Sequence, residues 1–232
     1  MSTQSPVRKS TKSRTMSRPP TRPERRTDGF NVVASDRSLG FTLPQRMGGT
    51  LWAPMLAMSL MAFAVALILG IVRANVVATS PGNAVQLLQL QHVTAGIMFL
   101  GFTAVLSAIA FAIARILGTF RDGGGTLQQA TTGHVLTLRM PPTAKAMIAL
   151  MMMGMMAIIV AVIGHLVTAA GTTSANLTSS QQLFHGWEIV RRIGISLHLV
   201  AIAFGLITIV QVLRFQAVRI GELAAQRTAD TN

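Results

Sequence analysis

The stretch KAMIALMMMGMMAIIVAVIGHLVTAAG, residues 145–171, decides the fold. Between Lys145 and Gly171 it carries no charged side chain. About 20 apolar residues in a helix are enough to cross the hydrocarbon core of a bilayer. A run this long and this apolar is out of place as a core helix of a small soluble domain, so residues 146–170 read as a membrane span.

Three further stretches read the same way. Residues 52–72 are closed by Arg73, residues 93–114 lie between His92 and Arg115, and residues 193–213 lie between Arg192 and Arg214. The expected fold is therefore an all-α integral membrane protein, four transmembrane helices in an antiparallel bundle with a disordered basic N-terminal tail. The tail covers residues 1–48, the membrane domain 49–215 and a second tail 216–232.

Composition supports a non-aqueous solvent for much of the chain. Of 232 residues 50% are hydrophobic and only 12% charged, against about 25% charged in a soluble domain. No cysteine is present, which excludes disulfides, thiolate metal sites, iron–sulfur clusters and covalently attached haem. The formal net charge of +13 is not a nucleic-acid signature, because of where the charge sits. Residues 1–48 hold ten Lys and Arg against three acids, and the other ten basic residues lie almost entirely at the ends of apolar runs. Such a pattern is a topology signal and a contact for anionic lipid. With both termini cytoplasmic, seventeen basic residues fall inside and three (Arg73, Arg191, Arg192) outside. The loops 73–92 and 171–192 then face outward, most simply from a bacterial inner membrane.

The loops carry little chemistry. Gly123–Gly125 reads as a flexible turn and lacks the Lys and Ser/Thr of a phosphate-binding loop. HVLTLRM, residues 134–140, reads as a short strand or an interfacial segment, with His134 a solvated residue. FHGWEIVRR, residues 184–192, reads as an interfacial helix that includes His185.

The histidines are the candidate site. His165 lies five residues inside the outer end of the third span and His198 five residues inside that of the fourth. At 1.5 Å per residue both are about 7–8 Å deep, hence level with one another. His92 stands at the mouth of the second span, one layer higher. An ionisable group within a span is costly and by default faces the bundle interior with a function. Neutral imidazole is the usual axial ligand of b-type haem and a common metal ligand. His165 and His198 are thus expected to grip a haem iron from opposite faces, with Arg191 and Arg192 above them to meet the propionates. The bland reading stands beside this one: membrane histidines also simply hydrogen-bond across helices, contributing about 0.6 kcal/mol.

A third reading assigns His165, His198 and His92 to copper. Met147, Met151 and Met155 follow one another at helical spacing and suit Cu(I), but unbranched methionines equally fill irregular packing. Asp122, Glu188, Glu222 and Asp230 all lie outside the spans. Proton-coupled transport and hydrolytic metal chemistry, which need such an acid, are therefore disfavoured. The expected function is a small non-catalytic membrane subunit of a redox or respiratory-type complex, holding haem b near the outer leaflet. It would pass electrons among quinone, an external redox protein or other membrane subunits. The alternatives are a cofactor-free accessory or anchoring subunit and a copper-handling membrane protein.

Overall fold

A computed structural model describes residues 30–35, 40–132 and 135–231. The elements run in the order β1 (Val32–Ser35), α1 (Leu43–Thr79), α2 (Ala84–Thr132), β2 (Val135–Leu138), α3 (Pro142–Gly171) and α4 (Leu177–Thr231), with a short 3-10 turn, Ser174–Asn176, before α4. All four helices are long and apolar enough to cross a membrane.

Local sequence explains the boundaries. At the start of α1 the backbone N–H of Thr42 donates to Gln45 Oε1 (2.8 Å), which satisfies one of the donors a helix start leaves open. Pro142 opens α3, where its missing N–H is harmless. The turn between α3 and α4 is tied by Asn176. Its Nδ2 donates to Gly171 O (2.8 Å), while its Oδ1 accepts from the backbone N–H of Thr173 (2.7 Å). Gln89 of α2 donates to Thr172 O (3.0 Å) and fixes α2 to that turn.

Helix ends lie well beyond the apolar runs. α2 has 49 residues and α4 has 55, roughly 74 and 82 Å of helix at 1.5 Å per residue. A hydrocarbon core is only about 30 Å thick. Gly123–Gly125, read above as a turn, are helical; Gly124 faces Arg219 and Gln216 so closely that a side chain there would collide with both. Likewise residues 177–192, read as loop and interfacial segment, belong to α4.

HVLTLRM does contain a strand. β2 pairs antiparallel with β1, Val32 opposite Leu138 and Ser35 opposite Val135. The strand β1 and the first turns of α1 fall within residues 1–48, so that segment is not tail throughout. Its residues 1–29 and 36–39 lie outside the described residues.

Packing follows small residues. α1 packs on α2, α3 packs on α4, and α2 touches both α3 and α4. Gly101 of α2 receives the Phe63 ring of α1, and Gly164 of α3 receives Trp187 of α4. Along α3 and α4 the facing residues run in opposite order: Gly164 with Trp187, Ile158 with Gly194, Gly154 with His198, Met147 with Gly205. Along α2 and α4 they rise together: His92 with Phe184, Phe99 with Arg191, Ile113 with Gly205, Phe120 with Gln216. The outer face of α1 presents Leu60, Met61, Leu67, Ile68 and Ile71, all exposed. In water such a face would be costly; against lipid tails it is at home.

Candidate functional site: imidazoles at two depths

Three histidines are among the most deeply buried side chains, His92 and His165 at 0% exposure and His198 at 1%. They do not form one group. His92 and His165 face each other across α2 and α3, Nδ1 to Nδ1, at 3.0 Å. The second nitrogen of His92, Nε2, lies 3.2 Å from the carbonyl oxygen of Ser180. Phe184 closes the group, its ring centroid 5.1 Å from that of His92 and 5.2 Å from that of His165, edge-on to both.

The partners fix the protons of two neutral rings. A carbonyl can only accept, so His92 carries its hydrogen on Nε2 and offers a bare lone pair at Nδ1. His165 must then donate from its own Nδ1 to His92. That leaves the lone pair of His165 Nε2 free, and this atom is buried with no hydrogen-bond partner. Ser180, His92 and His165 form a directed chain that ends in an unused imidazole nitrogen. His198 ends the same way: its Nδ1–H donates to the carbonyl of Gly194 (3.0 Å), and its Nε2 is buried without a partner.

A ring nitrogen held free while the other donates to a fixed acceptor is the arrangement found behind metal-ligating histidines. In donor chemistry, then, His165 and His198 each fit a metal or haem iron. Their spacing does not fit one shared iron. Two imidazole nitrogens on opposite faces of a metal stand about 4 Å apart, twice a bond of about 2 Å. His198 packs at Gly154, eleven residues along α3 from His165, which is about 16 Å. Between the two levels lies a packed apolar layer of Ala95, Phe99 and Ile158 with Val162 and Ile195 against it.

The expectation of equal depth is therefore corrected. It took Arg191–Arg192 as the outer end of the fourth span, whereas the hairpin turns at residues 172–176 and α4 runs unbroken through the two arginines. His92, expected one layer higher, is instead level with His165.

The arginines expected at propionates are engaged with protein. Arg191 Nη2 and Arg192 Nη2 both donate to Glu188 Oε1, at 3.1 and 2.7 Å. The Arg191 guanidinium also lies over the Phe99 ring, 3.4 Å from its centroid, a desolvated cation–π contact worth about 2 kcal/mol. Arg191 is mostly buried, Arg192 exposed. The carboxylate and the ring together explain how a cation is accommodated at this depth.

The remaining candidates lie elsewhere. His185 is exposed beside Glu188, and His134 lies outside the described residues. Among the described residues no three His, Asp or Glu side chains come together as a metal-binding group. In the methionine run Met147 is buried, Met151 and Met155 are half-buried, and Met152, Met153 and Met156 are exposed. Sequence reasoning missed Ser180 and Phe184, the partners that orient the pair. No residue-type signal marks a backbone carbonyl as an acceptor; the phrase SSQQLF is legible as helix only once the turn at Asn176 is known.

Neither a protein-family model, nor a curated protein, nor a solved structure matches this chain.

Proposed function

We propose that this chain is a small integral membrane subunit of a redox complex. It is read as an antiparallel four-helix bundle with both termini cytoplasmic, which offers a pre-oriented imidazole, His165 Nε2, to a b-type haem in the outer half of the bundle. The observation that carries this reading is the buried, unused lone pair of His165 at the end of the chain from Ser180 through His92. A bound haem would supply a one-electron carrier. The protein's own contribution is to hold the ring. His92 accepts the Nδ1 proton and fixes the tautomer, and Phe184 packs edge-on against both imidazoles. The surrounding apolar side chains exclude water from the pair. His198, about 16 Å away, is an independent donor with its own backing carbonyl and is not the second ligand of the same iron. Electron partners such as quinone or an external redox protein would approach from the bilayer or the outer surface.

The test is the absorption spectrum of the purified, dithionite-reduced protein. A sharp alpha band that His165→Ala removes and His198→Ala retains is the expected result. A band of full height in His165→Ala overturns the assignment.

A second reading, a cofactor-free accessory or anchoring subunit, has its own support. The His92–His165 contact already joins α2 to α3, and the outer apolar face of α1 has no partner among the described helices. A colourless, metal-free preparation would favour it. A colourless preparation that retains copper would instead favour copper handling at His92 and His165.

A further inference from the structure

At the opposite end of the bundle from His92 and His165, α2, α3 and α4, together with β2 and the start of α1, line a cleft of about 120 Å³. Its walls include Leu117, Met147, Val212 and Phe215, and two arginines, Arg121 and Arg219, line it as well. Arg219 is 97% buried, since only 3% of it is exposed. Its guanidinium stands over the Phe215 ring, 4.7 Å from the centroid. Two of its nitrogens, Nε and Nη2, are buried with no hydrogen-bond partner, and so is Nε of Arg121. Glu222 acts on the charge of Arg219 from outside the cleft, whose lining includes neither Glu222 nor Asp122.

Buried guanidinium donors without acceptors are costly, about 1–3 kcal/mol for each group and more for a charged one. Guanidinium is the side chain suited to planar, two-point recognition of phosphate oxygens. The surroundings narrow the class further. The cleft lies where the apolar runs of α3 and α4 meet Arg139, Lys145 and Arg214, at the level of a lipid headgroup layer. The rest of its lining is mostly hydrocarbon, interrupted by polar residues that include Thr137, Thr208 and Gln216, and a small hydrated anion does not require so apolar a wall. We propose that Arg121 and Arg219 bind the phosphate of an anionic phospholipid from the leaflet at this end, with the start of its acyl chain along Leu117, Met147 and Val212. This site is separate from the histidine layers, and its fate does not depend on whether they hold haem.

The test uses the full chain, purified in mild detergent, and native mass spectrometry with equimolar phosphatidylglycerol and phosphatidylcholine. One phosphatidylglycerol retained per chain, with phosphatidylcholine lost, is expected. Arg219→Ala should lower that retention about tenfold or more, the equivalent of one lost charge-assisted hydrogen bond. Arg219→Lys should lower it less, and Arg214→Ala, an exposed arginine outside the cleft, should leave it unchanged. Equal retention of the two lipids by the unmodified protein, or of neither, overturns the proposal whether or not the variants fold. Displacement of the lipid by inorganic phosphate at matching concentration would also overturn it, in favour of a free-anion site.

Discussion

His92 and His165 meet through like nitrogens, Nδ1 to Nδ1 at 3.0 Å, and only one of the two can hold the proton between them. The Ser180 carbonyl decides which. Because it takes the Nε2 proton of His92, the shared proton belongs to His165. The pair is therefore a coupled unit. A double-mutant cycle with His92→Phe and His165→Phe, read from unfolding in detergent, should give a coupling of about 0.6–1.7 kcal/mol. Strict additivity of the two changes would show that the rings do not interact.

Gly154 predicts a steric effect on the other imidazole. A methyl group there would run into the His198 ring and into the carbonyl of Gly194. Gly154→Ala should lower stability by about 1–3 kcal/mol through overpacking. Gly186→Ala in α4 meets nothing within 4 Å and should be neutral or stabilising by about 0.5–1 kcal/mol. Thermal unfolding followed by circular dichroism compares the two, and equal midpoints would contradict the helix register described for α3 and α4.

Glu188 is the shared acceptor of Arg191 and Arg192. Glu188→Gln should cost about 1–3 kcal/mol, because Arg191 would keep its charge in a mostly buried position without its counter-ion. Adding Arg191→Met to this variant should restore part of the loss. An Arg191→Met change that makes Glu188→Gln worse would argue against a pairing between the two.

The absence of cysteine makes the proposed orientation directly measurable. Thr178→Cys, exposed in the first turn of α4, should react with a membrane-impermeant maleimide in intact cells. Leu127→Cys, exposed near the far end of α2, should react only after the membrane is opened. The reverse pattern would invert the orientation.

The spans were legible because a bilayer demands length and apolarity, and residues 146–170 offer both without interruption. Helix ends were not, for a physical reason. Arg115, Asp122 and Arg191 read as the ends of apolar runs, but a charged side chain does not stop a helix, and α2 and α4 continue through all three. The same confusion misplaced the histidines. Depth counted from Arg192 made His165 and His198 level, whereas the register is set by the turn that Asn176 ties. The identity of the candidate residues was legible, since an imidazole in hydrocarbon stands out. Their partners were not, since the acceptors of His92 and His198 are backbone carbonyls. A short strand was one of two readings open for residues 134–140, and its partner at Val32–Ser35 lay in a segment whose composition read as tail. Arg219 looked like one more boundary charge; nothing in its neighbourhood announced that it turns inward.

α2 packs on each of the other three helices, while α1 packs chiefly on α2. The molecule is in effect two hairpins leaning on a common wall. A lesion on the free side of α1 leaves both imidazole layers standing. One on the inner side of α2 loosens the second hairpin as well as the first, so tolerance to substitution should fall sharply from the first crossing to the second.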